Sequence, residues 1–279
     1  MLIVSLTTTS ERLKLCTQTL ISLVNQSFKP EKIIVWISSS AYLRDKGICA
    51  DHQWVREVQA ELPLVEVRWT DNTGPYRKVL PTLEMCRDED LVVSADDDIV
   101  YGRDWLKKIM AAHLKYPGEI IVGRARQVKR NKLGRETTYL QWPIIREEQV
   151  LDRDFVVTFG GGALLPRAAF SFGDILNKDF LEVAPTSDDL WLSRIIENQS
   201  TSVRCVPEIL EELFFIEHNE GLIKSNSPSL NTKFQSFLFW LIYKRLGNLG
   251  VSICQNDVAY KKTKKYFETY KSRKIVASS

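Results

Sequence analysis

Three consecutive aspartates, Asp96, Asp97 and Asp98, follow an apolar run over residues 91–95 of this 279-residue chain. Like charges this close together repel one another unless a cation or water screens them. Carboxylate oxygens at the end of a strand suit Mg²⁺ or Mn²⁺ holding a diphosphate, because both ions prefer hard oxygen ligands. The other interpretation is an acidic N-terminus for the following helix, although a helix cap needs one acidic residue and not three.

A second acidic pair, Asp188 and Asp189, follows Ser187 at the start of a predicted helix over residues 188–196. One of these carboxylates could accept a proton from an acceptor hydroxyl group. The alternative is a helix cap whose negative charge favours the positive end of the helix dipole.

A glycine triplet is the third feature, and it consists of Gly160, Gly161 and Gly162. Glycine lets a backbone approach a ligand closely, because it has no side chain. The segment matches neither the P-loop nor the GxGxxG pattern, so a structural turn is the alternative to a ligand-binding loop.

The elements that must position these residues alternate along the first 127 residues. Short apolar runs predict strands, and apolar residues at helical spacing predict the helices between them. Thr8 and Glu11 have the spacing of a capping box before the first helix. The alternation implies a parallel sheet with right-handed crossovers and with ligands at the carboxyl ends of its strands. The predicted strands are residues 2–6, 32–37, 65–69, 91–95, 119–124 and 213–216, and the predicted helices include residues 13–24, 51–62, 77–87, 104–116, 188–196, 234–246 and 260–274.

Composition limits the class of protein. Hydrophobic residues make up 44% of the chain, which is enough for a full core and argues against a disordered protein. The five cysteines are scattered without a CxxC pair, so neither a disulfide framework nor a zinc site is expected. The first residues lack the pattern of a signal peptide, and no apolar run has the length of a membrane span. We therefore expect a cytoplasmic location.

The C-terminal part of the chain is basic. From Gly221 onward there are 11 Lys and Arg against 2 Asp and Glu, so the preceding residues are net acidic. Aromatic and basic residues over 234–274 predict peripheral contact with anionic lipid at the inner face of the membrane. The equal alternative is that residues 234–243 pack on the preceding domain and that the lysines are solvated. Nucleic acid is not expected as a partner, because the acidic body would repel its phosphates.

In their order and spacing, these features resemble the GT-A-fold nucleotide-sugar glycosyltransferases of glycosyltransferase family 2. Residues 4–9, 20–27 and 33–37 look like the first strand, helix and strand of that family. Residues 96–98 resemble its DxD metal motif, and the glycine triplet resembles its acceptor-side loop. Residues 187–189 are similar to its xED motif. The resemblance covers residues 1 to about 220.

The resemblance implies a role for each motif. Asp98 would bind Mn²⁺ or Mg²⁺ with His218, for which a plain loop histidine is the alternative. Asp189 would be the general base, supported by Asp188 in the place of the family's glutamate. The chain has three serines over residues 38–40, where many relatives have an aspartate that holds the nucleotide base. The residues assigned to the nucleotide sugar are Thr7, Thr8, Arg12, Ser38, Lys78, Asp96 and Asp97.

The sequence therefore predicts an α/β fold of the GT-A (Rossmann-like) type, with a mostly parallel sheet flanked by helices. Residues 1–220 would form the catalytic domain, and residues 221–279 a basic C-terminal helical extension. The expected reaction is metal-dependent sugar transfer from a nucleotide sugar, with a UDP-sugar favoured, to a glycan or lipid-linked glycan of a surface polysaccharide such as capsule or lipopolysaccharide. The alternatives are a sugar-phosphate nucleotidyltransferase, against which the glycine-free loop after the first strand argues, and a non-catalytic glycan-binding protein with the same fold.

Overall fold

The strands of the protein were located in a computed structural model, which describes residues 1–199, 201–216 and 245–277. Within these ranges there are twelve strands, of which the first three are the longest, with five or six residues each. The strands are β1 (Leu2–Thr7), β2 (Lys32–Ile37), β3 (Val65–Trp69), β4 (Leu91–Ser94), β5 (Ile99–Tyr101), β6 (Ile120–Val122), β7 (Ala125–Gln127), β8 (Gln149–Leu151), β9 (Phe155–Val157), β10 (Ala163–Pro166), β11 (Val203–Cys205) and β12 (Leu213–Phe215).

Among the described residues, eight of these strands form one mixed sheet in the order β3-β2-β1-β4-β10-β6-β11-β8. The neighbours from β3 to β4 are parallel, as predicted from the alternation of strands and helices. Strand β10 then runs antiparallel between β4 and β6, and β8 is antiparallel at the far edge. Two further pairs, β5 with β12 and β7 with β9, are separate antiparallel ribbons. The mostly parallel GT-A-type sheet is confirmed.

Helices cover both faces of this sheet. Because side chains alternate along a strand, Val4 of β1 contributes to the core on one face and Ile3 to the core on the other. The helices are α1 (Leu13–Val24), α2 (Gln53–Glu61), α3 (Leu80–Met85), α4 (Trp105–Lys115), α5 (Phe172–Ile175), α6 (Phe180–Val183), α7 (Asp188–Glu197) and α8 (Gln255–Ala277). The core that contains Val4 also contains apolar residues of α1, α2 and α4, and the opposite core contains residues of α3 and α7.

The predicted capping box at Thr8 and Glu11 is wrong. Helix α1 begins at Leu13 after Arg12, and no side chain caps it. The hydroxyl group of Thr8 donates instead to Asp97 Oδ2 at 2.6 Å, because a tertiary contact with the end of β4 replaces the local one. The predicted helix over residues 77–87 is also divided. Residues Gly74–Lys78 form a 3₁₀ turn, and α3 follows it.

Helix α8 packs on α7, the helix that begins with the predicted acid pair. The ring of Phe267 is buried and lies 4.8 Å from the ring of Trp191, measured between centroids. The buried ring of Tyr260 lies 4.7 Å from that of Trp142. These two aromatic residues therefore face the protein and not a lipid surface, whereas Lys261, Lys262 and Lys265 are exposed.

Parts of the predicted extension lie outside the described residues. The predicted apolar helix over 234–246 falls almost wholly there, as do His218 and the boundary between residues 220 and 221. Within the ranges that are described, none of the helices combines the length and the apolar character needed to cross a bilayer. Membrane contact through residues 234–274 stays a prediction.

Candidate active site

The candidate active site lies at the carboxyl ends of β1 and β4 and at the start of α7. Strands β1 and β4 are parallel and in register from Leu2 opposite Leu91 to Ser5 opposite Ser94. The residues that follow each strand therefore reach the same edge of the sheet. This register brings the Thr7–Thr8 segment beside the three aspartates, as the sequence predicted.

Asp97 is the buried member of the aspartate cluster. It accepts a hydrogen bond from the Thr8 hydroxyl group, and its Oδ1 lies 2.5 Å from Arg12 Nη2. The same guanidinium nitrogen lies 2.7 Å from Asp98 Oδ2. Burial raises the pKa of Asp97 to about 6, and Arg12 offsets only part of that effect. Asp97 thus holds β1, β4 and the start of α1 together, and its assignment to the nucleotide sugar stays a prediction.

Lys78 connects the aspartate cluster to the second acidic pair. Its ammonium group is buried and lies 2.9 Å from Asp96 Oδ1 and 3.0 Å from Asp188 Oδ2. Burial alone would lower the pKa of Lys78, but the charges of Asp188, Asp96 and Asp189 outweigh it and hold the pKa well above its usual value. Lys78 therefore carries a permanent positive charge between two motifs that are about 90 residues apart in sequence.

Asp189 lies beside this charge at the first turn of α7. Its Oδ1 accepts a hydrogen bond of 3.1 Å from the backbone N–H of Phe159, which precedes the glycine triplet. Burial is the main cause that raises the pKa of Asp189 to about 7, and the neighbouring Asp188 raises it further, while Lys78 and the N–H of Phe159 lower it. A half-buried carboxylate that titrates near neutrality can accept a proton at physiological pH.

The glycine triplet forms the wall beside Asp96. Residues Phe159–Gly161 form a 3₁₀ turn, and Gly162 has a φ of 89°, which favours glycine. A Cβ atom added to Gly160 would lie 1.8 Å from Asp96 Oδ2, so only glycine allows this approach. Tyr101, which the sequence did not single out, joins the two segments: its hydroxyl group accepts from the N–H of Asp96 and donates to the carbonyl of Gly160.

A buried ion pair fixes the loop that follows β2. Arg77 Nη2 donates to Asp45 Oδ2 at 2.9 Å and to the carbonyl of Thr8 at 3.2 Å. Asp45 Oδ1 accepts from the N–H groups of Ser10 and Gly47. Neither Arg77 nor Asp45 is among the residues assigned to the site from the sequence. This ion pair could not be recognised in the sequence, because its two members are 32 residues apart and belong to no motif.

The remaining residues assigned to the nucleotide lie near this loop. The hydroxyl group of Thr7 donates to the carbonyl of Trp36 in β2 at 2.8 Å. The buried Ser38 follows β2, and its hydroxyl oxygen accepts from the N–H of Ser40. Thr7 and Ser38 thus lie at the carboxyl ends of adjacent parallel strands, which is where ligands bind in open sheets of this kind.

Asp96 and Asp98 are the carboxylates best suited to hold a divalent ion. Their side chains are 34% and 25% exposed, whereas that of Asp97 is 6% exposed and held by Thr8 and Arg12. Within the three described ranges, no three His, Cys, Asp or Glu side chains are grouped as a metal site. Two accessible carboxylates nevertheless fit Mg²⁺ or Mn²⁺, because these ions often use one or two carboxylates together with substrate phosphates.

Two solved structures are similar to this chain in fold. A crystal structure of S. aureus TarS, residues 1–349, is 17% identical, with a TM-score of 0.50 over 74% of this chain and 58% of that one. The complex of the same TarS fragment with UDP-GlcNAc is 15% identical, with a TM-score of 0.52 over 87% and 65%. This chain therefore spans about three-fifths of those proteins' length. The likeness indicates the fold alone.

No curated protein matches the sequence. The sequence profile described as "Glycosyl transferase family 2" does match, over residues 6–172. This match spans more than half of the chain and includes the ends of β1 and β4, Lys78 and the glycine triplet. On this evidence the chain belongs to glycosyl transferase family 2.

Proposed function

We propose that the protein transfers a sugar from a nucleoside-diphosphate sugar, with a UDP-sugar favoured, to a hydroxyl group of a glycan or lipid-linked glycan. One observation carries the proposal most strongly: Lys78 holds the donor-side Asp96 and the acid pair at α7 together in one cluster. The family membership and the structural likeness to a protein that binds UDP-GlcNAc support the nucleotide-sugar donor. Synthesis of a surface polysaccharide is the setting that we propose for this activity.

Each part of the cluster has a chemical role in this proposal. Asp189 accepts the proton of the acceptor hydroxyl group, and the N–H of Phe159 orients its carboxylate. Lys78 keeps that carboxylate ionised and holds Asp96 beside the donor. Thr7, Ser38 and Arg12 line the nucleotide side of the same edge. A divalent ion held by Asp98 and Asp96 would supply Lewis-acid neutralisation of the diphosphate leaving group.

The test is a screen of nucleotide sugars for metal-dependent release of the nucleoside diphosphate by the full-length protein. UDP-GlcNAc and other UDP-sugars come first, followed by GDP- and dTDP-sugars, each with Mn²⁺, with Mg²⁺ and with excess chelator. The proposal predicts turnover with at least one donor, and faster turnover when a hydroxylated acceptor is present. Absence of both hydrolysis and transfer with every donor would contradict it.

Asp98 gives a sharper test of the proposed metal. Asp98→Asn should abolish turnover and weaken donor binding in Mn²⁺, because an amide is a poorer ligand for a hard cation. Asp152→Asn is the matched control, since Asp152 is exposed and lies outside the site. Full activity of Asp98→Asn, or of the wild-type protein in excess chelator, would exclude a role for metal at this aspartate.

A further inference from the structure

Two arginines next to the glycine triplet have no acidic partner among the residues that the structure describes. Arg124 and Arg126 are half-buried, and within the described residues neither forms an ion pair. The guanidinium group of Arg126 lies 5.1 Å from the ring centroid of Tyr139, and its Nη1 donates to the carbonyl of Trp142. The side chain of Arg124 makes no hydrogen bond to any residue that the structure describes.

The other partly or fully buried arginines of the site region are different. Arg12 contacts Asp97 and Asp98, and Arg77 contacts Asp45. A buried charge is costly unless an opposite charge or several hydrogen bonds compensate it. Arg124 and Arg126 have no such acidic partner among the described residues, and because both are only half-buried, their positive charges are accessible to an anionic ligand.

Backbone contacts connect Arg124 directly to the catalytic loop. The carbonyl of Arg124 accepts a 2.9 Å hydrogen bond from the N–H of Thr158. The next residue, Phe159, donates its N–H to Asp189. A Cβ atom added to Gly161 would lie 2.7 Å from Cβ of Arg124, so the glycine triplet packs against this arginine.

Tyr139 lies within the electrostatic range of the same groups. Its pKa is raised mainly by burial and also by the charge of Asp189, while Arg126 and Arg124 lower it. The two arginines and Tyr139 therefore lie in the same neighbourhood as Asp189. The strand order agrees with a separation from the nucleotide residues. Arg124 follows β6, and β10 and β4 lie between β6 and β1 in the sheet.

We propose that Arg124 and Arg126, together with Tyr139, form a subsite for an anionic group, a phosphate or a carboxylate, carried by the acceptor. A guanidinium group can bind either anion through two parallel hydrogen bonds. The position next to Asp189 would place a hydroxyl group of the same acceptor beside the base. The inference rests on the proposed sugar transfer, and it adds the charge class of the acceptor.

Transfer to matched acceptors tests the proposal. Methyl glucoside and methyl glucoside 6-phosphate differ only in the anionic group, and the donor is the nucleotide sugar found in the screen. The wild-type protein should show a higher kcat/KM with the phosphorylated acceptor. Arg124→Gln and Arg126→Gln should each lower the ratio of the two kcat/KM values about tenfold or more, within the range for charged hydrogen bonds. Arg146→Gln, which removes the same charge from an exposed position, should leave the ratio at the wild-type value.

Donor binding distinguishes the acceptor's anion from the donor's diphosphate. The dissociation constant for UDP, measured by calorimetry with Mn²⁺, should be the same for the Arg124→Gln, Arg126→Gln and wild-type proteins. Weaker binding of UDP with an unchanged acceptor ratio would overturn the proposal and assign the arginines to the donor. Equal loss with both acceptors would overturn it as well.

A binding measurement keeps this inference separate from the proposed function. Ligand-observed NMR with glucose 6-phosphate and glucose needs no turnover. If the wild-type protein transfers no sugar at all, preferential binding of glucose 6-phosphate that disappears in Arg124→Gln still supports the anionic subsite. Equal binding of the two probes, or binding that Arg124→Gln leaves unchanged, contradicts it.

Discussion

Substitution of Lys78 by glutamine tests how the site keeps its base ionised. The substitution removes the positive charge between Asp96 and Asp188, while the side chain stays polar and similar in length. Because the charge of Lys78 lowers the pKa of Asp189, its loss should raise that pKa above about 7. An opposite charge within a few ångströms shifts a carboxyl pKa by about 1–3 units, and we expect about one unit because Lys78 makes its direct contacts with Asp96 and Asp188.

The size of the effect on rate follows from the fraction of ionised base. With a pKa of about 7, half of Asp189 is ionised at pH 7. A shift of about one unit leaves about a tenth ionised, so kcat at pH 7 should fall about fivefold. At pH 9 the base is ionised in both proteins, and most of this difference should disappear. The acid limb of the kcat profile therefore moves to higher pH.

The assay is release of the nucleoside diphosphate at saturating donor and acceptor between pH 5.5 and pH 9.5. Saturation matters because Lys78 also contacts Asp96, and a change in donor affinity must not enter kcat. Lys78→Arg keeps the charge and should keep the acid limb near pH 7, and Lys178→Gln controls for loss of an exposed lysine. If kcat of Lys78→Gln is reduced equally at every pH, Lys78 does not control the ionisation of Asp189 and the reasoning is refuted.

Two further substitutions give three further expectations. Asp189→Asn should lower kcat by about 10²-fold or more with little change in donor affinity, whereas an equal loss of donor affinity would make Asp189 a binding residue. The same variant should gain thermal stability over the wild type, more at pH 8 than at pH 5. The pKa of Asp189 is higher in the folded protein than in the unfolded chain, so the stability that protonated Asp189 contributes is lost as pH rises through about 7. An equal difference in melting temperature between variant and wild type at both pH values would contradict this. Gly160→Ala should lower kcat/KM for the donor, because the new Cβ atom displaces Asp96. The control is Gly173→Ala, which should behave as wild type because the nearest atom to its new Cβ is 3.9 Å away. Normal kinetics of Gly160→Ala would show that Asp96 can move at no cost.

The first half of the sheet could be predicted from the sequence. Strands β1, β2 and β4 are apolar runs of four to six residues, and burial on both faces gives such runs a clear pattern. Strand β3 has five residues in which buried apolar and partly exposed polar side chains alternate, which is also a clear pattern. Strands β5 to β9 have three residues each, and a period of two cannot be recognised over so short a length. The capping box was wrong because Thr8 has a tertiary partner, which spacing along the chain cannot reveal.

The candidate site was predicted as separate parts. The aspartates, the acid pair and Lys78 were each identified from residue type and position, since acids at a strand end or a helix start have few structural explanations. Their connection was not predictable, because the ammonium group of Lys78 meets Asp188 only when α3 and α7 pack on the same face of the sheet. Arg124 was not identified from the sequence. It is of interest because its side chain has no acidic partner among the described residues, and a sequence contains no signal for the lack of a partner.

The packing of α8 on α7 has a consequence for how the protein is made. Helix α7 carries both acids of the candidate site, and the ring of its Trp191 contacts the ring of Phe267 in α8. Domains fold from the N-terminus while the ribosome is still adding residues. A nascent chain that ends before residue 255 can complete β1 to β4 and the aspartate cluster, but it leaves the outer face of α7 uncovered. The donor side of the site can therefore be assembled earlier in synthesis than the final packing of the base, which needs α8.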